Sequence, residues 1–229
     1  MTGPEAANPL FAYPPQAAFD KVLPKSKIYS HAKPSRRLLQ RFTSDVSQIV
    51  WKYKLAPETI RIPARAGIEE IQVFGVMLKG GADDDFAIDV LSCIDKAVGF
   101  PIIFEIMARE QVRVVAAYKR PNDADAAKWV VGDYFFSPWL PAAAARSPLP
   151  VALDLASLYA LLLQRLMPHP PRPGESLRDH ADRLARVMLL LRERDRVRAR
   201  LKREKQFNLK VGINAELRTI ESELDRLTQ

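Results

Sequence analysis

The chain has 229 residues, of which 48% are hydrophobic and 27% charged, with a formal net charge of +8 and a single cysteine. That length suits one ordinary domain with appendages or two small ones, and it supplies a sizeable core. Wholesale disorder, a collagen-like fibre and a disulfide-built mini-protein are excluded.

From the amino terminus, residues 1–34 carry Pro4, Pro9, Pro14, Pro15, Pro24 and Pro34 and little periodicity, which predicts an extended leader. No basic-then-apolar stretch opens the chain, so a cleaved secretion signal is not expected. Ser35 is a candidate N-cap. Leu38, Leu39, Phe42, Val46, Ile49, Val50 and Tyr53 follow at helical spacing, predicting an amphipathic helix over 35–54. Glu70 to Leu78 reads as a strand bounded by Gly80 and Gly81. Asp83, Asp84 and Asp85 then open a helix whose buried face is Phe86, Val90, Leu91, Ile94 and Val98, with Cys93 beside it.

Pro101 to Met107 and Val112 to Tyr118 form a predicted hairpin, residues 121–128 a polar loop, and Trp129 to Phe136 a further strand. Prolines between 138 and 150 mark a linker, Val151 to Met167 an apolar helix, and four prolines at 168–173 a second break. The helix is interrupted by Asp154 and too short to span a bilayer, so no membrane role is expected. Beyond it, Leu177, Ala181, Leu184, Met188 and Leu191 share a four-three spacing with Ile213, Leu217, Ile220, Leu224 and Leu227. Gly212 and Asn214 suggest a break between two helices there. These seams call for a partner: each other, the body, or a second chain, which includes self-association.

The fold class expected is therefore α+β: a small, largely antiparallel sheet with flanking helices, followed by a helical, coiled-coil-like arm. The expected organisation is a leader over 1–34, a core over 35–140, proline-rich linkers around an apolar helix over 141–175, and an arm over 176–229. With one cysteine the chain forms no internal disulfide and fits a reducing compartment, so the cytoplasm is the expected location.

The charge is unevenly spread. Residues 21–65 hold 11 Lys/Arg against 2 Asp/Glu, residues 66–177 hold 10 against 14, and residues 178–205 hold 11 against 5. Two basic segments flanking a mildly acidic middle favour a polyanionic partner, DNA being the natural one. The candidate phosphate contacts are Arg36, Arg37 and Arg41 on the first helix, Arg194 and Arg198 in the arm, and Lys119, Arg120 and Lys128 around a strand end.

Compact catalytic signatures are missing. No glycine-rich phosphate loop or serine elbow is present, and His31, His169 and His180 lack metal-ligand spacing, so no metal or other cofactor is expected. One enzymatic alternative is a divergent metal-dependent nuclease built on Glu70, Glu105 and Lys119, with Mg²⁺ as its cofactor. In that reading Lys119 pairs with Glu105 from the neighbouring strand. The pattern of an acid two positions before a lysine fails at Glu105-Ile106-Met107, so a structural ion pair is preferred.

Seven runs carry a family likeness: Leu23-Pro24-Lys25-Ser26-Lys27, Trp51-Lys52-Tyr53-Lys54-Leu55, Glu70-Ile71-Gln72-Val73-Phe74, Pro101-Ile102-Ile103-Phe104-Glu105, Ala117-Tyr118-Lys119-Arg120-Pro121, Lys128-Trp129-Val130-Val131 and Tyr134-Phe135-Phe136. With the ending Phe207-Asn208-Leu209-Lys210-Val211 and Asn214-Ala215-Glu216-Leu217-Arg218, the chain resembles an uncharacterised bacterial family, domain of unknown function number four-three-nine-one. The likeness covers most of residues 20–140 and 206–228. Members of that family are often encoded beside helicases and DNA methyltransferases of restriction-type, phage-defence loci. The resemblance thus implies an accessory, non-catalytic protein that binds DNA, a helicase or methyltransferase subunit, or both. It supplies no catalytic residues.

Overall fold

The computed structural model describes residues 8–81, 88–125 and 128–229. The chain separates into two compact units, Met1–Pro168 and His169–Gln229. The content is mixed α/β, with a mostly antiparallel sheet and a helical C-terminal region, as the sequence pattern predicts. Among the described residues no helix is long and apolar enough to cross a membrane.

In the first unit β1 (Phe11–Ala12) is followed by a 3-10 turn at Pro15–Ala17, β2 (Ala18–Val22), α1 (Lys25–Ala32), α2 (Arg36–Asp45) and β3 (Val46–Leu55). Next come α3 (Pro57–Ile60), β4 (Ile71–Leu78), α4 (Ile88–Ala97), β5 (Ile102–Ala108), β6 (Gln111–Pro121) and β7 (Trp129–Phe136). The unit closes with β8 (Leu140–Pro141), β9 (Ser147–Pro148) and α5 (Leu155–Gln164). The main sheet runs β2-β3-β4-β5-β6-β7, with β8 pairing β6; β4 and β5 are parallel across the α4 crossover and every other pair is antiparallel. Separately, β1 pairs in parallel with β9. On one side of the sheet, Phe74, Val76, Phe104, Ile106 and Val115 bury against Ile28 of α1, Phe42 of α2, and Val90, Leu91, Cys93 and Ile94 of α4.

Several expectations are corrected. The helix over 35–54 stops at Asp45, and Val46–Leu55 is a strand. Ser35 does cap α2, its hydroxyl accepting from the Leu38 N–H. Beyond it, β-branched and aromatic residues favour extended backbone, and ladder pairs such as Ile49 with Val76 and Trp51 with Phe74 settle the matter. The helical spacing of Ile49 and Tyr53 is equally a period of two, since Ile49, Trp51, Tyr53 and Leu55 alternate.

The leader is likewise not simply extended. It supplies β1, β2 and α1, with Pro24 at the N-cap of α1 and Pro15 opening the 3-10 turn. Proline there starts a helix, because the first-turn N–H has no intrahelical acceptor to lose. The region 138–150 also contributes paired residues, through β8 and β9. The apolar helix begins only at Leu155: Asp154 caps it by accepting from the Ser157 N–H at 2.7 Å, which leaves Val151 and Leu153 exposed. The acidic run Asp83, Asp84, Asp85 and the neighbouring Phe86 lie outside the described residues, as does part of the loop over 121–128.

In the second unit α6 (Leu177–Arg203) and α7 (Phe207–Thr228) form a helical hairpin. Their directions oppose, because Arg186 meets Glu223 while Arg200 meets Glu216. Val187, Leu190 and Val197 bury against Ile213, Ile220 and Leu224. The α6 seam passes through Val187 rather than Met188, which is 38% exposed. The expected break at Gly212 does not occur; α7 continues through it, and the chain reverses at Glu204–Gln206 instead. Capping explains the choice. Glu204 accepts from the N–H groups of Lys205 and Gln206 at 2.7 and 2.8 Å, satisfying amides that a reversal frees. Lone glycine inside a helix costs only about 1 kcal/mol relative to alanine.

Candidate nucleic-acid interface

Lys119 is 1% exposed and faces inward. Its ammonium donates to the carbonyls of Asp95 and Val98, both at 2.6 Å, and lies 3.4 Å from Asp95 Oδ1. These carbonyls belong to the last turn of α4 and its exit, so the lysine caps that helix. Tyr134 donates its hydroxyl to the other oxygen of Asp95. Burial holds the Asp95 carboxyl above its usual range and the Lys119 ammonium below its own, each against the pull of the other. Nearby, the Tyr159 hydroxyl of α5 donates to the Ala117 carbonyl at 2.6 Å and accepts from the Lys119 N–H at 2.8 Å. It thereby closes the register shift in β6 between Ala117 and Lys119.

Glu105 does not pair with Lys119. In the β5–β6 ladder it opposes Val114, and its carboxylate is taken by two other cations. Arg146 donates through Nη1 to Oε1 at 2.6 Å and through Nη2 to Oε2 at 3.1 Å, while Lys52 donates to Oε2 at 2.6 Å. Lys52 crosses β4 because Gly75, level with Glu105, has no side chain; a β-carbon there would come 2.9 Å from Lys52 Cδ. Burial alone raises the Glu105 carboxyl, but Arg146 and Lys52 outweigh it and the net shift is downward. Glu70 stands in a third network, accepting from Gln72 at 2.5 Å and facing Lys54 at 3.3 Å. The three residues of the nuclease reading are therefore engaged separately. Among the described residues no group of three or more His, Cys, Asp or Glu side chains is placed to hold a metal.

The remaining candidates sort by whether an acid already answers them. Arg120 pairs with Asp123 at 3.3 Å and Lys128 with Asp125 at 3.0 Å. Arg41 faces Asp45 and Asp89. In the hairpin, Arg194 pairs with Asp195 at 2.9 Å and Arg198 with Glu221 at 2.6 Å. Arg36 and Arg37 differ: both are exposed, and neither has an acidic partner among the described residues.

The leader adds two cations outside the candidate phosphate contacts named above. Lys27 on α1 and Lys33 at its C-terminal cap are exposed and likewise without an acidic partner among the described residues. Lys25, by contrast, is turned inward, donating to the carbonyls of Phe42 and Val46 at 2.7 and 2.5 Å where α2 ends. The first turn of α2 contains no acid, so its positive dipole end adds to Arg36 and Arg37 rather than being neutralised. The α1–α2 segment thus presents Lys27, Lys33, Arg36 and Arg37 within eleven consecutive residues, 27–37.

The sequence profile of a family described as a domain of unknown function (DUF4391) matches residues 11–224. No curated protein and no solved structure matches the chain.

Proposed function

Because the chain belongs to the DUF4391 family, whose description names no activity, we propose a function from its surface: a non-catalytic accessory protein of a DNA restriction-modification or phage-defence system. In this reading it acts in the cytoplasm, grips DNA through α1 and α2, and engages a helicase or methyltransferase subunit. The observation that carries the DNA contact is the set Lys27, Lys33, Arg36 and Arg37, exposed and unanswered by acids among the described residues, beside an uncompensated helix start. Such cations release counterions from a phosphate backbone and confer affinity without reading sequence. Other lysines of the first unit, Lys25 within α1 itself and Lys119 on β6, are consumed by the fold.

The test is fluorescence anisotropy of a labelled duplex titrated across salt. Four phosphate contacts predict a log–log slope of about −3.6, or roughly 150-fold weaker binding between 50 and 200 mM salt. Lys27→Glu combined with Arg36→Glu and Arg37→Glu is expected to abolish that binding. Absence of duplex affinity at low salt overturns the DNA half of the reading. Co-purification with neighbouring helicase or methyltransferase subunits, with and without nuclease treatment, tests the other half.

A further inference from the structure

The reversal between α6 and α7 carries a second cationic feature, unlike the α1–α2 face in one respect. Arg196, Arg200 and Arg203 recur at i, i+4 and i+7, which places them on one side of α6. With Ala199 and Glu204 they line an open depression of about 420 Å³. Arg200 is held by Glu216. Arg196 and Arg203 are exposed and have no acidic partner among the described residues, and Lys202 and Lys205 stand exposed beside them. Glu204, the acid in the depression, is committed to the amides of Lys205 and Gln206.

Immediately past this cluster, at the first residue of α7, Phe207 is 77% exposed. Leu209 and Val211 follow at 51% and 55%. A phenyl ring left in water contributes little to the hairpin's stability, since its value to a fold comes from burial. Four residues after Arg203, at the same reversal of the chain, it has a different use. Bases have apolar π-faces and their strands carry phosphates, so an aromatic platform next to arginines fits an unpaired strand. Duplex DNA offers the phosphates but keeps its base faces stacked inside, leaving the ring nothing to cover.

We propose that the tip of the α6–α7 hairpin binds single-stranded nucleic acid, Arg196 and Arg203 contacting phosphates and Phe207 stacking under a base. This rests on the polyanion-binding reading above and adds a ligand class and a separate site to it. The site lies wholly within His169–Gln229.

The experiment uses the full chain, a labelled oligothymidylate and a labelled duplex, read by anisotropy. Phe207→Ala is expected to weaken oligothymidylate binding about tenfold, within the range for one stacked base, with duplex affinity unchanged. Phe207→Trp keeps binding within about twofold of the parent. Arg196→Ala with Arg203→Ala reduces the single-strand salt slope by about 1.4. Because Phe207 is exposed, its replacement leaves the helical ellipticity unchanged, which is checked alongside. If Phe207→Ala leaves oligothymidylate binding intact, the inference is wrong. If that variant instead loses affinity only for vesicles of anionic phospholipid, the tip is a membrane-surface element and the inference is equally wrong. Retained duplex binding in either case leaves the α1–α2 reading standing; absence of both nucleic-acid affinities removes the two together.

Discussion

Arg146→Ala strips the buried Glu105 carboxylate of its two-pronged partner. The variant loses the bonds at 2.6 and 3.1 Å to the carboxylate and one at 2.9 Å to the Phe11 carbonyl. Removing one side of a buried ion pair costs about 3–5 kcal/mol. Two features reduce that figure: Lys52 remains on Glu105 at 2.6 Å, and the Arg146 side chain is 31% exposed, so water screens part of the interaction. We expect a loss of about 2–3 kcal/mol.

In a Glu105→Gln background no buried carboxylate is left to strand, and the same change costs about 1 kcal/mol for the hydrogen bonds the partly exposed guanidinium still makes. The difference between backgrounds, about 1–2 kcal/mol, is the coupling between the two residues. Urea unfolding followed by tryptophan fluorescence measures it. Trp51, Trp129 and Trp139 all lie in Met1–Pro168, so the signal belongs to that unit even if the hairpin melts separately. A cost equal in both backgrounds, or below about 1 kcal/mol in the parent, refutes the reasoning.

Three further outcomes follow from the same geometry. Lys119→Met leaves Asp95 buried with Tyr134 alone and is expected to cost about 3 kcal/mol in urea unfolding, while duplex affinity stays within about twofold because the ammonium is not presented to solvent. Tyr159→Phe strands the Ala117 carbonyl and the Lys119 N–H; a loss of about 2–3 kcal/mol is expected, and one under about 0.5 kcal/mol argues against the closure of β6 by that hydroxyl. In the hairpin, the Arg183 guanidinium draws the Glu175 carboxyl down to about 2 from its ordinary 4.5. A depressed carboxyl stabilises the fold above its unfolded value and loses that contribution as pH falls through the folded one. Helical ellipticity of the parent is therefore expected to fall between pH 4.5 and 2, with a shallower decline in Glu175→Gln.

Local chemistry made much of the first unit readable. Ser35, Gly-bounded β4, the apolar face of α4 and the β5–β6 hairpin follow from caps, turns and β-branched runs, and the structure has them where those signals stand. Residues 46–55 were legible in composition but not in spacing, since Ile49 and Tyr53 satisfy both periods and only pairing with β4 separates them. The prolines of the leader misled because their effect depends on position: at a helix start they fit, and in its interior they break.

Partners distant in sequence were the least visible. A carboxylate inside the apolar strand Ile102–Ala108 signals that some cation must answer it. Nothing local says that Lys52 does so by crossing over Gly75, or that Arg146 arrives from between β8 and β9. Charge totals misled in a similar way. Lys25 and Lys119 count toward a basic protein, yet they terminate helices, while Arg186, Arg198 and Arg200 hold α6 to α7.

The short strand β2 has a consequence for anyone who trims this chain. It hydrogen-bonds along one border of β3, whose other border is occupied by β4. A truncated protein beginning at Ser35 would forfeit β2 together with Ile28, and would bare a row of unsatisfied amides and carbonyls on a strand that carries Val46, Ile49, Val50, Trp51 and Tyr53. Bare borders of that kind recruit other strands, and self-assembly into insoluble material is the usual result.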